Sequence, residues 1–193
     1  MTSKISICNL SLAYIGQAPI SSLDQTDERA KRINLFYEPV RDEVLRAHNW
    51  GFASVQNKLE LAREDTQNGE YLYHYPADAL FIREVFVAGQ KGRLPFAERF
   101  DSQTHGRVLA VKEAQCSVCY TRRVVDETQF DPLFVKSFAL ALAQDLAITL
   151  TGDLSLAEHM AQRYVLSLDE ARRSNMTENF QLDEPIDAFS EVR

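Results

Sequence analysis

The side chains best suited to chemistry here are three cysteines, four histidines and 28 carboxylates, and their spacing decides whether they can cooperate. Cys116 and Cys119 have the C-x-x-C spacing of zinc and redox sites. No second C-x-x-C and no His pair stands nearby to complete four ligands, and in an extended strand residues three apart face opposite sides. Buried structural thiols are therefore expected, since a free Cys packs as a small hydrophobe. His48, His74, His105 and His159 are scattered, with none in an H-x-x-x-H pair. His48 falls near the end of a helical pattern, where an imidazolium would suit the helix dipole, and His159 beside Glu158 reads as solvated. Adjacent carboxylates at Asp27-Glu28, Asp126-Glu127 and Asp183-Glu184 could in principle serve glycoside hydrolysis. So many acidic residues produce such pairs by chance, which makes a glycan-cleaving hydrolase the alternative rather than the leading expectation. No G-x-G-x-x-G, Walker or G-x-S-x-G sequence is present. The expectation is a non-enzyme with no catalytic, cofactor-binding or metal-binding residues.

Charge narrows the partners. A formal net charge of −7 argues against a grip on nucleic acid, which rests on phosphate neutralisation by Lys and Arg. An acidic wall has the opposite use, because it lets a duplex pass without sticking. The basic clusters Arg29-Lys31-Arg32, Arg122-Arg123 and Arg172-Arg173 are each flanked by acids and read as solvated faces. The first residues form no apolar leader, and no unbroken apolar run approaches the roughly 18 residues of a membrane span. Synthesis in a reducing cytoplasm with free Cys8, Cys116 and Cys119 follows as the expectation, with no membrane partner.

The elements that must position these residues are read from periodicity. Ser3 can cap a helix with a stripe Ile5, Cys8, Leu12, Ile15, stopped by Gly16. A second helix starts near Thr26 with the stripe Ala30, Ile33, Tyr37, Val40, Val44, Ala47, and Pro39 inside it predicts a kink rather than a break. Tyr71, Tyr73 and Tyr75 alternate with Leu72 and His74 at a strand period. Ala79 to Val87 reads as an apolar strand, Gly89 and Gly92 bracket a hairpin connection, and Arg107 to Lys112 and Gln115 to Val125 add further strands. Asp131-Pro132 opens a third helix, apolar almost all round to Leu150 and so the expected central one. Ser155 and Glu158 form a capping box for the last. The predicted fold is α+β: a four-helix body built from residues 1–50 and 129–175, with a small antiparallel β domain of four or five strands inserted at 51–128. Residues 176–193 are expected to be an extended or partly disordered acidic tail, or docked on a neighbour.

Several segments resemble one family. Leu12-Ala13-Tyr14-Ile15-Gly16, Ile20-Ser21-Ser22-Leu23-Asp24, the run from Arg41 to Ala53 containing His48-Asn49-Trp50-Gly51-Phe52, Tyr75-Pro76-Ala77-Asp78, and Phe130-Asp131-Pro132-Leu133-Phe134 with Leu142-Ala143 and Leu146-Ala147 resemble, in order and spacing, the tail tubular protein A family of short-tailed phages. Asn49 stands where many relatives carry proline. The resemblance implies a structural protein of a phage or prophage virion: a head-to-tail adaptor (connector) at the head–tail junction, with no catalytic role. It further implies a homo-oligomeric ring of about twelve copies, each offering two different faces to its neighbours. Its partners would be the portal protein, the tail nozzle protein and DNA, which passes through the channel without sequence-specific binding during ejection. Leu10, Phe36, Leu45 and Phe189 are the candidate interface residues, since obligate interfaces are apolar and favour aromatics. The alternatives are a virion hydrolase or a prophage globular protein of another role.

Overall fold

A computed structural model describes residues 2–90 and 92–178. Helix α1 spans Lys4–Tyr14, and Ser3 and Ser6 satisfy each other's backbone N–H groups in a capping box. Helix α2 spans Glu28–Ala47 and is capped by Asp27, whose carboxylate accepts from the Arg29 N–H at 2.8 Å. It runs unbroken through Pro39. The carbonyl that Pro39 leaves without a donor belongs to Leu35, and both residues lie on the exposed face, where water can replace the missing bond. The predicted stripe of α2 is buried, Ala47 partly so.

Helix α3, Pro132–Thr151, begins where Asp131 caps the Leu133 N–H at 2.7 Å and ends at Gly152, whose φ of 69° is the left-handed conformation that glycine adopts without strain. By length and apolarity this helix could cross a bilayer, contrary to the expectation from uninterrupted runs. The fold gives another reason for its composition: α1, α2 and α4 all pack on it. Helix α4, Leu154–Glu178, is capped differently from expectation. Asp153, not Ser155, accepts from the Leu156 N–H at 3.1 Å and from the Ser155 hydroxyl at 2.7 Å.

The expectation of a small inserted β domain is overturned. Strands dominate the middle of the chain: β1 (Ser54–Lys58), β2 (Leu61–Asp65), β3 (Glu70–His74), β4 (Ala79–Val87), β5 (Ala97–Asp101), β6 (Gly106–Val111) and β7 (Cys116–Arg122). They form two sheets, ordered β1-β7-β4 and β2-β3-β6-β5, with every pairing antiparallel. The three strands missing from the sequence reading, β1, β2 and β5, are all sheet edges. Edge strands carry charge and polarity that deter pairing with other chains, so the apolar alternation that betrays an inner strand is absent from them. The turn at Gly89 does form, but its return arm is a single bridge, Val85 to Leu94, before the chain crosses to the other sheet. Residues 179–193, most of the predicted tail, lie outside the described residues.

Two separate cores result. Tyr73, Leu109 and Val111 of the four-stranded sheet meet Ile82, Val85, Cys116, Val118 and Tyr120 of the other, so the sheets pack face to face. The helices enclose a second core around Phe134, Phe138, Leu142 and Leu146. The outer face of the four-stranded sheet buries Leu72, Val108 and Ala110, and among the described residues no further element packs on it. Register puts Arg63, Glu70, Arg99 and Asp101 on that same face. Arg63 pairs with Asp101 and Arg99 with Glu70, each at 2.7 Å, and the stems of these arginines cover apolar surface while their heads stay paired.

The hydrogen bond from Arg63, with help from the Thr104 N–H, holds the Asp101 carboxyl well below the usual carboxylate range. A depressed folded-state pKa contributes stability that is complete above the unfolded value of about 3.9 and is lost as pH falls toward the folded one. Asp101→Asn is therefore expected to be less stable than the parent at pH 7, with the gap closing progressively below about pH 4. Urea unfolding at a series of pH values measures this; a gap independent of pH would contradict it.

Candidate functional site

The last carbonyls of a helix lack intrahelical partners, and α2 ends between the two cores, where they must be satisfied. Two arginines do this from opposite sides. Arg83 of β4 donates from Nη2 to the carbonyls of Arg46 at 2.9 Å and His48 at 2.8 Å, while its Nε donates to Thr121 Oγ1 at 2.9 Å. Arg172 of α4 reaches the Ala47 carbonyl at 3.3 Å. Both cations sit at the negative end of the helix dipole. Arg83 also lies over the Phe81 ring at 4.6 Å, which Arg46 approaches at 5.0 Å.

Just beyond the helix, the Trp50 indole N–H donates back to the Val44 carbonyl at 2.9 Å. Its ring meets Phe134 edge-on with centroids 5.1 Å apart, and Phe52 meets Phe134 at 5.2 Å and Phe130 at 5.9 Å. Asp42 of α2 accepts from Arg41 and from Arg123, and the Arg123 backbone N–H donates to the Asp78 carbonyl at 2.7 Å. Tyr120 donates to the Asp78 carboxylate at 3.0 Å. Between the ends of α2 and α4 opens a pocket of about 110 Å³ lined by Trp50, Gly51, Phe52, Asp131, Leu133, Ala171 and Ser174.

His48 occupies the C-cap position of α2, but not as the expected imidazolium. Burial, then the positive charges of Arg172 and Arg83, push its pKa below the ordinary imidazole value. The guanidinium groups have taken the place at the helix terminus that a charged histidine would fill. His74 and His159 are exposed on β3 and α4, and His105 sits in the β5–β6 turn at a φ of 54°.

The remaining candidates do not converge. Cys116 faces the core between the sheets and donates to the Glu113 carbonyl at 3.2 Å, and burial pushes its thiol up. Cys119 points to the other side, beside Ser54 Oγ at 3.6 Å. Cys8 is buried among the helices, its thiol pushed up to about 12 by burial. Asp27 is spent on capping α2 and pairing with Arg29, and Asp126 on capping a short turn at Glu127–Gln129. Glu127 accepts from the Tyr37 hydroxyl at 3.2 Å. Asp183 and Glu184 lie outside the described residues, among which no three His, Cys, Asp or Glu side chains gather as metal ligands would.

Of the expected interface residues, Leu45 is wholly buried in the helical core, Leu10 and Phe36 are half-buried against it, and Phe189 lies outside the described residues. Leu45 is covered because the end of α2 is enclosed by β4 as well as α3. The large apolar side chains that do face outward are others. Ile148, Leu154, Val165 and Leu166 stud the α3–α4 hairpin, Leu61 and Phe100 lie on the edge strands β2 and β5, and Leu35 and Val125 lie near Pro39 of α2. Single exposed residues break no period, so sequence patterning gave no signal for them. No protein-family model matches the chain, and no curated protein matches it.

Replacing Arg83 by Met removes a half-buried donor to three acceptors and is expected to lower unfolding free energy by about 2 kcal/mol. Arg83→Lys should not recover it, since an ammonium cannot span the three acceptors as a planar fork does. In Arg83→Met the His48 pKa should rise toward its ordinary value. Denaturant unfolding and an NMR titration of the imidazole measure the two effects, and an unchanged His48 titration would contradict the electrostatic assignment.

Proposed function

We propose that this protein is a structural subunit of the junction between a phage head and its tail: an adaptor that assembles as a ring between portal and nozzle and contributes to the channel for DNA. One observation carries the proposal. The segments that resemble the tail tubular protein A family lie far apart in sequence yet meet in space. Trp50 rests against Phe134 and Phe52 against Phe130, while Arg123 ties Asp42 to the Asp78 carbonyl. The first two segments are linked as well, because Asn9 of α1 exchanges hydrogen bonds of 2.9 and 3.0 Å with the backbone of Ile20. A chance likeness of short segments gives no reason for them to share one contact.

The outward-facing apolar residues suit the same reading. A closed ring uses heterologous contacts, so each copy must present two different faces. Leu154 and Val165, about three helical turns apart, share one side of α4 with Leu166 adjacent, while Leu35 of α2 and Val125 are exposed elsewhere. The acidic balance of −7 suits a bore that DNA slides through rather than binds.

The double substitution Leu154→Glu and Leu166→Glu tests this directly. Both side chains are exposed, so circular dichroism and thermal unfolding should stay close to the parent. In sedimentation with portal rings present, the parent should join the portal as a multi-copy species, and the double variant should remain a monomer. A parent chain that stays monomeric at high concentration beside portal rings would overturn the proposal.

A further inference from the structure

Of the seven asparagines in the chain, only Asn68 is followed by glycine. The pair lies in the loop Thr66–Gly69 that joins β2 to β3, with both residues exposed. Gly69 holds a φ of 63°, and a Cβ placed on it would meet nothing within 4 Å, so the space beside it is open. The Asn68 side chain turns back over the loop. Its Nδ2 donates to Asp65 Oδ2 at 2.8 Å, and the Gln67 N–H donates to the other oxygen at 3.3 Å. The bond from Asn68 holds the Asp65 carboxyl below the usual carboxylate range. Asn9 and Asn34 stand in contrast. They lie within α1 and α2, their amides donate to the carbonyls of Ile20 and Leu23, and the helical ladder fixes the backbone that follows them.

We propose that Asn68 is a site of spontaneous modification by water, in which its side-chain amide becomes a carboxylate and the β2–β3 loop is remodelled. Hydroxide takes the proton of the Gly69 amide, and that nitrogen attacks the side-chain carbonyl carbon of Asn68. The new carbon–nitrogen bond closes a five-membered ring; the bond to Nδ2 breaks, and Nδ2 takes a proton from water and leaves as ammonia. Water then opens the ring at either of its carbonyls. One opening gives aspartate, and the other gives isoaspartate, which adds a carbon to the backbone path. Glycine suits the closure because it has no Cβ to block the approach and moves freely between conformations. In the product a donor to Asp65 has become a second negative charge beside it, so an attraction turns into a repulsion. Strand β2 is a sheet edge whose ladder partner is β3 alone, and Asp65↔Glu70 is the pair nearest the loop. Loop length fixes the register of a hairpin, so the lengthened backbone loosens β2 from this end. The inference is independent of ring formation and stands or falls separately from it.

The test is to hold the full, folded chain for several weeks in mildly alkaline buffer and digest it with trypsin. Cleavage after Arg63 and Arg83 releases residues 64–83, in which Asn68 is the single asparagine. This peptide should acquire the mass gain of amide-to-acid conversion and split into aspartyl and isoaspartyl species, while the peptides holding Asn9 and Asn34 keep their mass. Conversion should quicken with pH in proportion to hydroxide. Asn68→Gln keeps the amide but would need a larger ring, and its peptide should not convert. The aged chain, separated on an anion exchanger by its added charge, should exchange the amides paired between β2 and β3 several-fold faster than the fresh chain, with those of α3 unchanged. A 64–83 peptide that keeps its mass in the folded chain would overturn the proposal, and conversion in urea alone would show that the fold protects the site. Conversion without faster exchange in β2 would overturn the remodelling of the loop.

Discussion

The structure depends on how the end of α2 is satisfied. The last carbonyls of a helix have no intrahelical partners; at this end those of Arg46 and Ala47 are bonded where water still reaches and that of His48 where it is partly excluded. Here the sheet and the last helix each supply a guanidinium, Arg83 and Arg172, to the same short stretch of backbone. Those bonds tie three parts of the chain together at one place. The aromatic cluster of Trp50, Phe52, Phe130 and Phe134 fills the space beside them, so the polar and apolar requirements of the junction are met by neighbouring residues.

Much of the helical layout was legible because it is redundant. In α3, the Asp131 cap, Pro132 and Gly152 all mark the same boundaries, and no competing pattern disturbs them. The sheets were only half legible, for a physical reason. Strands β3, β6 and β7 each have partners on both sides, and β4 packs its length against β7, so all four show runs of Tyr, Val, Leu or Phe. Strands β1, β2 and β5 end their sheets and contain Gln, Asn, Arg, Glu and Asp instead. Missing them turned two stacked sheets into one small domain.

The junction was less visible still. Arg83 lies within an apolar strand, and a charge in such a run demands a buried partner. Its partners are backbone carbonyls of a segment far earlier in the chain, which carry no side-chain signature. His48 was misplaced for the same reason: the dipole argument was sound, but the cations that fill that role come from β4 and α4 and cannot be foreseen from the helix alone.

The central claim is that this junction couples the helical core and the sheet core into one cooperative unit. Native-state hydrogen exchange in increasing urea tests it, by following amides of α3, such as Leu142, alongside amides of β7, such as Val118. Coupling predicts that the two sets converge on the same opening free energy well before global unfolding, and that Arg83→Met separates them. Strand amides that open at their own lower free energy in the unaltered protein, with α3 still protected, would contradict it.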